Sequence, residues 1–213
     1  MAIIDVRLPY LMLITDRLLC DSIDDLEQRV LAAIRGGVNI VQIREKDLSD
    51  HDLLGLVTRL RDSIGGKAIL TVNERFDVAL KSGVDGIHFP EDKPLCIEQP
   101  QLGYPDLLIS RSVHSVATAI ESQKKNIHLL QVGTMFATLS KPGKNPEGPT
   151  LLQEIRRLVS IPCIGVGGIE KDNVVDVMRS GASGIAVIRS VLMSDDPERA
   201  ASQLYTAMEQ HIL

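Results

Sequence analysis

The chain has 213 residues, enough for one domain with a sizeable core or at most two small ones. Apolar residues make up 44% of it, yet aromatics are only 3% and Trp is absent, so Ile, Leu, Val and Ala must fill the interior. The net charge of −5 argues against a general nucleic-acid-binding surface, and no run approaches the ~18 apolar residues of a membrane span. The N-terminus lacks the basic and apolar regions of a signal peptide. Cys20, Cys96 and Cys163 are odd in number and show no CxxC spacing, which reads as reduced thiols in a soluble cytoplasmic protein.

Read from the N-terminus, short apolar runs alternate with longer stretches of helical period. The first run, "YLMLIT" (10–15), precedes "DDLEQRVLAAIRGG". The second, "VNIVQI" (38–43), precedes "SDHDLLGLVTRLRDSIGG", where Ser49 and Asp52 form a capping-box pattern. Next come "KAILTV" (67–72) with "ERFDVALKSG", then "DGIHF" (85–89) with "EDKPLCIEQPQLGYP", whose three prolines predict mostly irregular chain. The second half repeats the scheme with "DLLIS" (106–110) and "SVATAIESQKK", then "IHLLQV" (127–132) and "GPTLLQEIRRLVS". It ends with "IPCIGV" (161–166) and "KDNVVDVMRSG", then "GIAVI" (184–188) and "DPERAASQLYTAMEQHIL". Several helical stretches end in Gly, where a helix C-terminus favours positive φ. Eight continuously apolar runs predict parallel strands buried on both faces. A closed (β/α)8 TIM barrel and an open doubly wound sheet both fit this order. Eight units in 213 residues favour the barrel, as a single domain over residues 1–213.

Barrel chemistry sits at the C-terminal strand ends, and polar residues gather there. The first half supplies Thr15 and Asp16, then Gln42, Arg44 and Lys46, Asn73 and Glu74, and His88, Glu91 and Asp92. The second supplies Ser110, Ser112 and His114, then Thr138, Ser140 and Lys141, Gly167 and Gly168, and Ile188 and Arg189. In "NIVQIREKD" (39–47), Gln42, Arg44 and Lys46 occupy alternate positions, which strand geometry sends to one face. Arg offers a fork of donors and Lys a compact charge, a combination suited to a diphosphate. A salt-bridge network with neighbouring acids fits the spacing equally well. "GVGGIEKDN" (165–173) puts three glycines between a strand and a helix, but Glu170 stands where a dinucleotide fingerprint needs its last Gly. It suits either a phosphate cradle of main-chain N–H groups or a plain tight turn. "FATLSKPGKNPEGPT" (136–150) is long enough for a lid or binding loop, and equally for a solvated excursion. Glu74 and Asp92 end neighbouring strands and are candidates to share Mg2+, although a carboxylate pair is more often merely solvated. The five histidines lack ligand spacing; His88 and His114 read as hydrogen-bonded barrel residues. No Ser-His-Asp set or nucleophile elbow is present.

Taken in order, "LITDR", "QIREKD", "VNERFDVAL", "GVDGIHF", "RSVHS", "VGTMFATLSKPG", "IPCIGVGGI" and "GASGIAVIRSV" resemble the thiamine phosphate synthase family. That family also contains the TenI-like thiazole tautomerases. The resemblance spans roughly residues 10–200, and its most specific motifs are Q-x-R-x-K, the S-V-H-S strand end and the T-x-S/T-K loop. It implies a (β/α)8 barrel and an enzyme joining hydroxymethylpyrimidine diphosphate to thiazole phosphate, with release of pyrophosphate and Mg2+ as cofactor. By matching positions, Gln42, Arg44, Lys46, Asn73, Ser112 and Lys141 would contact the pyrimidine substrate, and Arg44, Lys46, Ser112 and Lys141 would serve catalysis. Thr138 and Ser140 would line the thiazole side, and the main chain at Gly167, Gly168, Ile188 and Arg189 would hold the thiazole phosphate. Glu74 and Asp92 would take the metal positions. The implied partners are these small phosphorylated molecules, without nucleic acid or membrane; a homo-oligomer stays open.

The sequence also departs from the family's patterns. The usual N-D-R reads "NER", and G-[VI]-H-L-G-Q-E-D reads "GIHFPED", one residue short, so that matching Asp92 needs a gap. Met12 stands where an aromatic residue often lies, and Arg189 replaces a small Ser. "RSVHS" and "SKPG" also match the TenI-like branch, yet that branch's proton-transfer His is Thr134 here. A TenI-like tautomerase and a non-catalytic thiazole-phosphate-binding regulator therefore stand beside the synthase.

Overall fold

The computed structural model describes residues 7–93, 107–125, 127–138, 143 and 145–211. Its strands are β1 (Tyr10–Ile14), β2 (Ile40–Ile43), β3 (Ile69–Asn73) and β4 (Gly86–Phe89), then β5 (Leu108–Val113), β6 (Leu129–Gly133), β7 (Cys163–Val166) and β8 (Gly184–Val187). All pair in parallel in chain order, and β8 returns to β1, with Tyr10 opposite Gly184 and Leu13 opposite Val187. This is the closed barrel; the open sheet is excluded. Gly184 permits the closure, since a Cβ there would lie 2.0 Å from the Tyr10 carbonyl oxygen.

The helices are α1 (Ile23–Arg35), α2 (Asp50–Ile64), α3 (Phe76–Ser82) and α4 (Val116–Gln123), then α5 (Gly148–Arg156), α6 (Val174–Arg179), the one-turn α7 (Arg189–Leu192) and α8 (Pro197–Glu209). Their boundaries follow from local chemistry. Ser49 accepts the Asp52 N–H at 3.2 Å and donates its hydroxyl to the Asp52 carboxylate at 2.7 Å, satisfying an otherwise orphaned first-turn donor of α2. Ser22 and Ser115 cap α1 and α4 in the same way. Gly65 ends α2 in the left-handed conformation (φ 58°), and Gly83 does so for α3 (φ 64°). Among the described residues, no helix is long and apolar enough to cross a membrane.

The core has two parts. The outward faces of the strands pack with Leu26, Val30, Leu53, Leu60, Leu152, Val177, Leu204 and others of the helical layer. The interior holds a smaller cluster of Tyr10, Met12, Ile14, Ile40, Leu129, Ile164 and Ala186. That interior set occupies alternate positions on its strands, and continuing the alternation aims Gln42, Asn73, His88, Ser112 and Gln131 inward near the C-terminal ends. An apolar floor therefore lies beneath a polar mouth.

Candidate active site

β5 begins and ends later than its apolar run predicts, so that Ser110 and Ser112 lie within it and share the inner face. The parallel register sets Asn73 beside His88, and His88 beside Ser110. His88 is buried, with Nδ1 2.9 Å from the Ser110 hydroxyl and Nε2 2.9 Å from that of Ser112. Across the barrel, Gln131 Nε2 donates to Gln42 Oε1 at 2.5 Å, linking β6 to β2. Gln131 was not singled out from the sequence. A lone amide inside the apolar run "IHLLQV", two positions from the strand end, was the available signal.

The segment after β2 behaves differently from a strand. β2 ends at Ile43, Arg44 is half-buried just beyond it, and Lys46 is exposed in a turn. Alternation therefore holds for Gln42 and Arg44, while Lys46 is carried by the turn. The cause is Glu45, which is buried against Thr15 and Arg17: the Thr15 hydroxyl donates to it at 2.6 Å and the Arg17 N–H at 3.1 Å. Burial pushes the Glu45 carboxyl above its ordinary pKa, and those hydrogen bonds oppose the shift. Nearby acids are also committed, Asp47 to the Arg17 side chain and Asp50 to Arg75. Among the described residues, neither Arg44 nor Lys46 has an ion-pair partner. The salt-bridge account of this motif is set aside.

Asn73 closes β3, and its amide donates to the Glu74 carboxylate at 2.9 Å. Glu74 has φ 63°. Asp92 is exposed in the turn after β4. Its neighbour Glu91 instead accepts the His114 N–H at 3.1 Å and lies 2.5 Å from the His114 ring. Burial alone would raise the Glu91 carboxyl, but hydrogen bonds from Thr118 and His114 bring it below its ordinary pKa. Among the described residues there is no group of three or more His, Cys, Asp or Glu placed to hold a metal ion.

After β6, Met135 and Phe136 donate to the carbonyls of Val166 and Gly167, both at 3.0 Å, so this loop lies along the end of β7. A Cβ at Gly168 (φ 62°) would come within 2.5 Å of the Ala137 oxygen. The glycine is required by loop packing as well as by its positive φ. Ile188 and Arg189 open α7 beside this turn. Thr134 is buried, with its N–H donating to the Glu147 carboxylate. Thr138 is half-buried on the same loop, whereas Ser140 and Lys141, like Cys96 and most of the fourth crossover, lie outside the described residues. Cys20 and Cys163 are free thiols with pKa pushed up to about 11, chiefly by burial, and so are poor nucleophiles.

The C-terminal ends of the strands thus carry a polar ring, two cations without an ion pair among the described residues, and a glycine turn followed by a short helix. Comparison with known proteins agrees with this arrangement. The family model described as thiamine monophosphate synthase matches residues 11–191. A thiamine-phosphate synthase of Chloroflexus aurantiacus is 40% identical over 81% of this chain and 81% of its own length. One of Natronomonas pharaonis is 36% identical over 84% and 86%, respectively. The solved thiamine phosphate pyrophosphorylase from Pyrococcus furiosus superposes with a TM-score of 0.85 at 31% identity, covering 96% of this chain and 98% of that one. With the match running from β1 into α7 and relatives aligned over most of their length, this chain belongs to the thiamine monophosphate synthase family.

Proposed function

We propose that this protein is a thiamine-phosphate synthase, joining hydroxymethylpyrimidine diphosphate to thiazole phosphate in the cytoplasm. The observation that carries the reading is the pair Arg44 and Lys46, two cations at the barrel mouth that form no ion pair among the described residues, with Glu45, Asp47 and Asp50 beside them bound to other groups. In the reaction the bond between the pyrimidine methylene carbon and the diphosphate oxygen breaks, and its electron pair leaves with pyrophosphate. The thiazole nitrogen lone pair then forms the new C–N bond. Negative charge grows on the departing oxygens, where Arg44 and Lys46 stabilise it more in the transition state than in the ground state.

The polar ring of Gln42, Asn73 and Ser112 orients the pyrimidine, with Lys141 as a further cation. Thr138 and Ser140 face the thiazole, whose phosphate takes main-chain N–H groups around Gly167, Gly168, Ile188 and Arg189. Glu74, directly after β3, and Asp92, in the turn after β4, carry hard carboxylate oxygens, the donor chemistry that Mg2+ takes together with substrate phosphates. Bound there, Mg2+ would supply further neutralisation of the diphosphate. A tautomerase needs a titrating acid–base at the thiazole, and the Thr134 hydroxyl does not titrate near neutral pH.

The test is release of pyrophosphate from the two substrates with Mg2+ present. Wild type is expected to turn over, and Lys46→Ala to slow turnover about a hundredfold, the scale of ~3 kcal/mol of lost transition-state stabilisation. A folded wild type that binds the pyrimidine diphosphate and never releases pyrophosphate would overturn the synthase reading in favour of a non-catalytic binder.

A further inference from the structure

Glu45 is the only Asp or Glu among the described residues that falls in the buried class, at 4% exposure, and the reaction above makes no use of it. It sits in sequence between the two cations of the mouth, yet it pairs with neither. Its Oε1 accepts the Thr15 hydroxyl at 2.6 Å, and both its oxygens accept the Arg17 N–H at 3.1 Å. The same Thr15 oxygen accepts the Arg44 N–H at 3.0 Å, while the Thr15 N–H donates to the Gln42 carbonyl at 2.9 Å. The Glu45 carbonyl in turn accepts the Leu48 N–H at 3.4 Å, closing the turn that carries Lys46. Arg17 and Asp47 form a second tie between the same two loops, on the solvent side.

This arrangement has a physical consequence. An ionised carboxylate flanked by Arg and Lys would neutralise one of them if its side chain were free to turn. The Thr15 hydroxyl and the Arg17 main chain satisfy it instead, in a buried position where leaving it unpaired would be costly. We infer that Glu45 is a positioning residue, clamped by Thr15 and Arg17 so that Arg44 and Lys46 present their charge to a diphosphate rather than to an acid of their own chain. The inference rests on the synthase reading only for the identity of the anion. Burial raises the pKa of Glu45, and the hydrogen bonds from Thr15 and Arg17 offset part of that shift.

The test uses full-length Thr15→Val, Thr15→Ser and Thr15→Val combined with Glu45→Gln. Inorganic pyrophosphate is the probe in calorimetric titration, alongside turnover and thermal melting. Thr15→Val, which removes the donor that holds the charged Glu45, is expected to weaken pyrophosphate binding about tenfold, while Thr15→Ser, which keeps the hydroxyl, stays near wild type. Glu45→Gln, which leaves no acid to compete for the cations, should restore near-wild-type binding in the Thr15→Val background. Combined with Lys46→Ala, the Thr15→Val loss should be smaller than in the wild-type background, because the clamp acts through the cations. A merely structural role would instead lower the melting temperature and add independently. Should Thr15→Val fail to fold, Thr15→Ala decides. Wild-type pyrophosphate affinity in the folded Thr15 variant, or no rescue by Glu45→Gln, overturns the clamp, whatever the turnover. If wild type binds pyrophosphate but catalyses nothing, the synthase reading falls while the binding comparison still judges the clamp.

Discussion

Glu74 occupies the left-handed region at φ 63°, the only residue besides glycine to do so among the described residues. There the Cβ crowds the following carbonyl, a cost of ~1–2 kcal/mol that short polar side chains offset better than long ones. The conformation is imposed by its surroundings: the Glu74 N–H donates to the His88 carbonyl at 2.9 Å, and Arg75 and Phe76 turn back onto Asn73 and Glu74. Strain of this kind clusters at functional sites, and here it accompanies a Glu74 carboxylate held by the Asn73 amide. An aspartate would fit the backbone better and suit the strict octahedron of Mg2+ by removing one methylene. Glu74→Asp is therefore expected to maintain or raise Mg2+-dependent pyrophosphate release. Glu74→Gln keeps the shape without the charge and should lower it. Titrating turnover against Mg2+ for wild type and both variants checks this, and equal Mg2+ dependence in all three would remove Glu74 from the metal site.

Pairing between elements carries a second, pH-dependent contribution. His128 precedes β6 and is bound twice to Ile109 of β5: its N–H donates to the Ile109 carbonyl at 2.8 Å, and its ring Nδ1 accepts the Ile109 N–H at 2.9 Å. The accepting ring must be neutral, and burial lowers its pKa below the ordinary 6.5. The unfolded chain takes up a proton as pH falls below 6.5 while the folded chain resists, so this contribution is complete above 6.5 and erodes towards the lowered folded pKa. His128→Asn retains an acceptor and does not titrate. The urea midpoint of wild type should fall more between about pH 7 and about pH 5 than that of the variant; parallel declines would refute the assignment. The same two strands show what the sequence made legible. Their apolar runs located them because parallel strands buried on both faces need no polar alternation. Their limits moved because a strand end depends on partners distant in the chain, such as the His128 ring. Likewise "QIREKD" announced its cations but not the path of Lys46, since nothing local says that Thr15, 30 residues earlier, will hold Glu45 down. The glycines after β7 were visible, whereas the role of Gly168 in admitting the Phe136–Ala137 backbone required the folded loops.

At the scale of the whole molecule, the barrel separates holding from reacting along its axis. A chain of net charge −5 is proposed to bind two anionic substrates, so its useful cations must be concentrated at one mouth rather than spread over the surface. At the opposite end Asn39, just before β2, makes three uncharged side-chain hydrogen bonds. Its carbonyl accepts the Leu11 N–H at 3.0 Å, and its amide donates to the carbonyls of Pro9 at 2.9 Å and Arg7 at 3.1 Å. These bonds tie the entry of β1 to β2 next to the seam where β8 closes the ring. Asn39→Ala leaves the partly buried Leu11 N–H and Pro9 carbonyl without that partner, a loss of about 1–3 kcal/mol. In a protein of this size that lowers the melting temperature by roughly 2–4 °C for each kcal/mol. Because Asn39 lies at the far end from the cations, kcat should stay within about twofold of wild type at a temperature where both remain folded. Lys46→Ala should show the reverse, a large loss of turnover with little change in melting temperature. A fall in kcat for folded Asn39→Ala comparable to that for Lys46→Ala would mean that the two ends are coupled, and that closure of the barrel itself sets the geometry of the mouth.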